Sequence, residues 1–247
     1  MTIAWGPLNI AYDDPYPLEI GNLCLNLSRS PQEWAVEYHY TQDRYVTESS
    51  KATSRIRVVS AQTNPEVTII PATADRSVVA RPTQTIQIPA GESTTLYIST
   101  PLWIRAKIND QTTLFDLPVE ILSDCWFGQT TRKGELCYAN PTQARMYLER
   151  LPVRPERVVT PANIRNEGDD VLTLDRLSLP LPHLSIYKVD DSYWTQQIVI
   201  TRTAKLDLAR LELEPAPPQQ HSTAELITGP RKQMDDTMVE RVLGLFF

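Results

Sequence analysis

Proline occurs 20 times in this chain against 8 glycines. Proline has no amide donor, so within a helix or a ladder each one removes a hydrogen bond, and prolines collect at strand starts, edges and turns. A chain punctuated this often suits many short strands better than long helices. Its 247 residues allow one large β domain or two smaller ones, and 41% apolar with 22% charged residues is the balance of a globular protein with a buried core.

Alternation supports the strands. Leu23, Leu25 and Leu27 fall every second position, as do Val36, Tyr38 and Tyr40, and Ile56 with Val58 starts another run. The polar stretch 41–53 reads as a loop. Val67–Ile70, Ile86 with Ile88, Leu96 with Ile98, and 103–108 continue the series, with Pro89-Ala90-Gly91-Glu92 as a turn. Further on, 157–166, 184–187, 193–201 and 205–213 read as strands, with Pro161 placing its segment at an edge or bend. Asn166-Glu167-Gly168-Asp169-Asp170 is a strong turn, and the change of phase between Leu172/Leu174 and Leu177/Leu179 predicts a bulge near Asp175. Residues 142–151 fit a helix after Asn140-Pro141 or a strand; their β surroundings favour the strand.

The expected fold is all-β, two immunoglobulin-like β-sandwich domains with a short C-terminal helix. Residues 1–118 form the N-terminal sandwich and 119–215 the C-terminal one, joined through a hairpin at 119–140. Residues 216–247 are a proline-rich linker and an amphipathic helix opening at Gly229-Pro230. Met234, Met238, Val242, Leu245 and Phe246 form an apolar stripe on that helix. It would pack on its own sandwich or dock a second copy or a protein partner. Its polar face is not basic, which disfavours a membrane.

A net charge of -6 argues against nucleic acid, whose binders carry a basic face. No apolar run is long enough to span a bilayer, and the first residues lack a basic segment followed by a hydrophobic one. The expected compartment is the cytoplasm.

The stretch 117–140 holds two of the three cysteines and reads as a strand, a tight loop and a returning strand. Folding it about Thr131 sets Gly128 against Gly134 and Cys125 against Cys137. The pair is either a redox-sensitive bridge or two buried thiols, and a cytoplasmic chain favours the thiols. Cys24 lies between Leu23 and Leu25 and faces away from their buried side. The aromatic and acidic residues Asp124, Trp126, Glu135 and Tyr138 are candidate ligand-binding groups, and Arg132 and Lys133 at the loop tip are candidate anion holders. Glu120 and Asp124 would share a strand face as a carboxylate pair, although solvated surface carboxylates are commoner than acid–base pairs. His39, His183 and His221 lie too far apart in sequence for a metal knuckle, and the glycine after Lys133 is followed by Glu135, so phosphate-loop chemistry is missing. Neither a catalytic residue, a metal nor a cofactor is expected.

The strings WFGQTTRKGELCYAN, LPVRPERVVTPANIRNEGDD and LSLPLPHLSIY resemble the domain-of-unknown-function family 432, prokaryotic and largely archaeal proteins of similar length. The resemblance spans residues 91–213, implies a prokaryotic cytosolic origin, and brings no catalytic residue with it. The expected function is a non-enzymatic binding or assembly protein, a homo-oligomer or a subunit that docks a protein through its sandwich surfaces and C-terminal helix. The alternative is an enzyme or a carbohydrate- or small-molecule-binding module at the central hairpin.

Overall fold

The computed structural model describes residues 5–41, 53–60, 63–109, 112–130, 132–151, 154–203, 209–214 and 223–234. Strands β1 (Gly6–Asn9), β2 (Tyr16–Ile20), β3 (Leu23–Ser30), β4 (Glu33–Tyr40), β5 (Ser54–Val59) and β6 (Glu66–Ala72) come first. Then follow β7 (Val78–Ala80), β8 (Ile86–Ile88), β9 (Ser93–Pro101), β10 (Trp103–Lys107), β11 (Thr113–Pro118), β12 (Asp124–Thr130) and β13 (Lys133–Ala139). The last are β14 (Arg157–Glu167), β15 (Leu172–Leu174), β16 (Leu177–Leu179), β17 (Ile186–Val189), β18 (Ser192–Thr195), β19 (Ile198–Thr203), β20 (Ala209–Leu213) and β21 (Glu225–Thr228). The fold is all-β. The helical content of the described residues is confined to 3-10 turns at Leu148–Arg150 and Leu181–His183, and none of their helices is long and apolar enough to cross a membrane.

Met1–Ala72 and Pro101–Ile121 form one compact unit. Within it β2-β3-β4-β5 is an antiparallel meander. Gly21 and Asn22 close its first hairpin, with Gly21 at φ 57, where a side chain would be strained. Parity then puts Leu18, Ile20, Leu23, Leu25, Leu27, Trp34 and Val36 on one buried face. Each such side chain contributes roughly 1.5–3 kcal/mol by leaving water. Cys24 falls on the opposite face and is half-buried. The second sheet, β1-β6-β10-β11, buries Val67, Ile69, Ile104, Ala106, Phe115 and Leu117. On its other face Arg105 sits opposite Asp116 and donates to Asp116 Oδ2 through Nε at 2.9 Å and Nη2 at 2.8 Å.

Thr73–Thr100 and Leu122–Phe247 form the other unit. A single boundary at 118/119 assigns residues 73–100 to the N-terminal domain, yet they cluster with the C-terminal part. The cause is pairing across long sequence separations: β7 lies between β13 and β16, β8 pairs β15, and β9 pairs β14. Several of this unit's pairings are parallel, namely β13 with β7 and β14 with both β18 and β19. An immunoglobulin-type sandwich is built of antiparallel sheets, so this unit departs from that expectation.

Local differences from the sequence reading have local causes. Pro161 sits inside β14 rather than at an edge, at the point where that strand passes from the β18 pairing at Val158–Val159 to the β19 pairing at Ala162–Glu167. The phase change near Asp175 is a change of sheet: β15 pairs β8 and β16 pairs β7. Residues 142–151 are neither continuous strand nor α-helix. Ala144 bridges Pro82, Arg145 bridges Tyr97, and the Leu148–Arg150 turn follows. In the tail, Glu225–Thr228 adds to β17 as a strand. Residues 229–234 form no helix; Lys232 N donates to Pro182 O at 3.0 Å and Arg231 Nε to Thr73 O at 2.6 Å. Met234 is the last described residue, and Met238, Val242, Leu245 and Phe246 lie outside the described residues.

The turn after β14 is held by a buried side chain. Asn166 Nδ2 donates to Ile88 O at 2.8 Å and to Asp170 O at 2.7 Å, while its Oδ1 accepts from Gly168 N at 3.1 Å. Its backbone also pairs with the Pro89–Glu92 turn, through Gly91 N to Asn166 O at 2.8 Å and Asn166 N to Glu92 O at 2.9 Å. Gly91 has φ 76, as the third residue of a type II turn requires. Because Asn166 is 1% exposed, Asn166→Ala strands several buried backbone groups at once. A loss of about 2–4 kcal/mol is expected, read as a lower urea midpoint at unchanged m-value; a midpoint within error of the parent's would remove this latch from the account.

Candidate functional site

Hydrogen bonding between β12 and β13 pairs Asp124 with Tyr138, Cys125 with Cys137, Trp126 with Leu136, Phe127 with Glu135 and Gly128 with Gly134. The sequence arithmetic for the cysteines and glycines is met. The long strand expected from Leu117 is not one piece: β11 ends at Pro118, β12 begins at Asp124, and Glu120 lies outside both. Glu120 and Asp124 therefore do not share a strand face. At the tip, the ladder shifts between Gly128 and Thr130, a bulge that accommodates Gln129.

Facing residues of an antiparallel pair project to the same side, and the side alternates along the strand. Asp124, Tyr138, Trp126 and Leu136 share one side; Cys125, Cys137, Phe127 and Glu135 share the other. The second side packs inward through Phe127 and Cys137, which cluster with Val79 and with Cys125. The predicted grouping of Glu135 with Trp126 fails on this parity. Glu135 instead lies near Ser178, whose Oγ is 3.5 Å from Glu135 Oε1.

On the outward side Trp126 and Leu136 are 45% and 48% exposed. The indole is seated by its own hairpin: Nε1 donates to Thr130 O at 3.0 Å, and a Cβ placed on Gly134 would fall 2.8 Å from Nε1. The missing side chain of Gly134 thus leaves the space that the indole edge occupies, and Gly128 lets the two backbones approach. Beside it Arg76 makes an ion pair with Asp124 at 3.0 Å and stacks over the Tyr138 ring at 5.0 Å. Tyr138 donates its hydroxyl to Asp75 Oδ1 at 3.0 Å. Asp75 and Arg76 were not legible as site residues, since nothing in their sequence neighbourhood points 48 to 63 residues ahead. The Arg76–Asp124 pair is largely solvated and is worth at most about 1 kcal/mol; its role is to border the aromatic patch.

The amides of Arg132 and Lys133 at the tip are already engaged and are not offered to an anion. Thr130 Oγ1 accepts from Arg132 N at 3.3 Å and from Lys133 N at 3.1 Å. The exposed side chains of Arg132 and Lys133 remain as cationic groups, without a backbone cradle. Among the described residues no cluster of His, Cys, Asp and Glu is arranged to hold a metal ion.

The thiols and the phenol are held protonated. Burial raises the Cys125 thiol, with Arg176 and Arg81 pulling the other way. Burial and then Glu135 push Cys137 up to about 12, and both cysteines are free. Burial first, then the bond to Asp75, pushes Tyr138 up to about 12.

Two outcomes are expected. A Cβ at Gly134 would also meet Phe127 O at 2.6 Å and Gly128 Cα at 2.8 Å, both backbone and unable to yield cheaply. Gly134→Ala should cost about 1–3 kcal/mol and alter the near-UV circular dichroism; a spectrum and urea midpoint identical to the parent's would contradict the seating of Trp126. Second, Cys137 and Tyr138 keep their protons to higher pH in the folded chain than in the unfolded one. The folded state binds more protons between the ordinary value of 9.0 for a thiol and about 12, so stability is full below that window and is lost as pH rises through it. Urea midpoints should fall across the window, and less steeply in Cys137→Ala; an equal slope would assign the loss to other groups.

No curated protein and no solved structure matches this chain. A family model described as a protein of unknown function (DUF432) matches residues 4–247, extending the resemblance seen in residues 91–213 over essentially the whole length, and the chain belongs to that family.

Proposed function

We propose that this is a non-enzymatic binding or assembly protein that holds a protein partner, or a second copy of itself, against the outward face of the 124–139 hairpin. The observation that carries the reading is the Trp126–Leu136 pair. Two large apolar side chains face one another in the open, fixed from beneath by the hairpin and bordered by Arg76, Asp124 and Tyr138. Protein interfaces place aromatic anchors in such a setting, with charged groups at the rim. The high proton affinity of Cys137 and Tyr138 supports binding over acid–base catalysis, because neither is prepared as a general base near neutrality. We further propose that the two four-stranded sheets of the first unit close as a sandwich, that the setting is the cytosol, and that the apolar residues from Met234 to Phe246 give a second docking element.

A carbohydrate is the alternative occupant of the same face. The observation favouring it is that the indole, held at its Nε1 edge by the hairpin, is 45% exposed on the same side of the ladder as the carboxylate of Asp124.

The test begins with the mass of the full chain by light scattering across a concentration series. Self-association is expected, and Trp126→Ser with Leu136→Ser should return it to the monomer. Truncation after Met234 tests the tail without removing β21, which a cut near Pro215 would delete. A parent monomeric throughout sinks self-association, and a glycan-array signal that Trp126→Ala abolishes would move the assignment to the carbohydrate.

A further inference from the structure

We propose that Cys125 and Cys137 form a reversible dithiol–disulfide site that reacts with low-molecular-weight disulfides and locks the two strands of the hairpin together. The assignment stands on the hairpin geometry and does not require the binding reading.

The two residues are direct partners in the ladder. Ala139 N donates to Ser123 O at 2.8 Å, which sets the hydrogen-bonded phase of the ladder; counting in twos places Cys125 and Cys137 at a hydrogen-bonded pair as well. Such pairs have Cα atoms about 5.5 Å apart, inside the roughly 4.4–6.8 Å that a disulfide spans. Their Cβ atoms, at about 4.5–5.5 Å, stand wider than the roughly 3.8 Å mean of disulfides. Closure therefore requires a small local contraction. Strain of that kind makes a bond easy to reduce again, the property that separates labile disulfides from structural ones.

The surroundings assign the order of events. Cys137 is fully buried, with its Sγ 4.0 Å from Ser178 Oγ, whereas Cys125 is only half-buried. The guanidinium of Arg176 lies over the adjacent Phe127 ring at 5.5 Å; burial raises the Cys125 thiol overall, and Arg176 and Arg81 offset part of that rise, a cationic relief that Cys137 lacks. Cys125 is thus the thiol an external reagent meets. Its thiol gives a proton to solvent, and the thiolate attacks one sulfur of the small disulfide. That S–S bond breaks, a mixed disulfide forms at Cys125, and the first small thiol leaves after taking up a proton. Cys137 then gives up its proton and attacks the Cys125 sulfur, forming the Cys125–Cys137 bond and expelling the second small thiol. Two protein thiols are oxidised and one disulfide is reduced to two thiols. The high proton affinity of Cys137 slows the second step, and its placement opposite the reacting sulfur offsets this. The closed loop carries Trp126, Leu136, Arg132 and Lys133, so oxidation stiffens the outward face.

The experiment uses the full chain with Cys24→Ser, which leaves Cys125 and Cys137 as the remaining thiols. The folded protein is incubated with glutathione disulfide, quenched in acid and alkylated under denaturing conditions. Expected are a mass lower by two hydrogen atoms, no alkylation, and one digest peptide joining the two cysteines, all reversed by dithiothreitol. Cys125→Ser should remain unmodified. A stable glutathione adduct on Cys125 with Cys137 still alkylated, or two free thiols after hours of exposure, would overturn the proposal. Either result leaves the light-scattering and glycan tests unaffected, so the two readings fail separately.

Discussion

The ladder between Asp124–Thr130 and Lys133–Ala139 decides the character of the candidate site. Once Gly128 faces Gly134, every other side chain on the two strands has its side chosen. One side becomes the wall that meets Val79 and buries Cys137; the other becomes the open face with Trp126 and Leu136. A shift of one residue would expose both cysteines and bury the aromatic patch. The register is secured in depth, because β13 also pairs in parallel with β7, through Tyr138 with Val78 and Ala139 with Val79. Slipping β13 would break hydrogen bonds on both of its edges.

What could be read from the residues followed from what is local. Register in a hairpin is counting, so the Cys125–Cys137 and Gly128–Gly134 facings were accessible, as were the alternating strands at 23–27, 36–40 and 103–107. Glu135 lies on the side opposite Trp126, because facing residues alternate sides along the ladder and Glu135 faces Phe127. Long-range features were out of reach for a physical reason. Val78–Ala80 is three residues buried on both sides, too short to alternate, yet it seats the hairpin. The parallel partners of β14 come from segments joined by crossovers, and a single strand's pattern does not reveal its neighbour. Asp75 and Arg76 meet Tyr138 and Asp124 because β7 lies against β13, and that contact is invisible until the pairing is known. Glu225–Thr228 was hidden for a different reason: its four residues follow a proline-rich stretch and have two exposed members.

Irregular segments still need their buried backbone groups satisfied, and here arginine does that task in each unit. Arg157, 5% exposed, donates to Ser99 Oγ and Ser99 O at 2.8 Å each, to Thr142 Oγ1 at 3.1 Å and to Asn140 Oδ1 at 3.4 Å. Asn140 Nδ2 and Thr142 Oγ1 also donate to Ser99 O, at 3.0 and 2.6 Å. Arg29, 6% exposed, donates to Ile10 O at 2.8 Å and Thr63 Oγ1 at 3.1 Å, and its guanidinium lies 3.8 Å from the Tyr12 ring centroid. A planar fork of fixed donors can serve several acceptors from one buried position, which a lysine ammonium cannot reproduce in geometry.

For the hairpin the consequence is asymmetric. Its root is fixed where Asn140 leaves β13, through the Arg157–Ser99–Thr142 cluster and through Asn140 N to Val79 O at 2.8 Å. Among the described residues its tip is closed by the amides of Arg132 and Lys133, which donate to Thr130 Oγ1, and by Trp126 Nε1, which donates to Thr130 O. The root holds the aromatic face at a defined place on its unit, where the proposed partner would meet it. An interface built on a fixed root orders few new groups when it forms, which is the condition under which a modest apolar patch gives useful affinity.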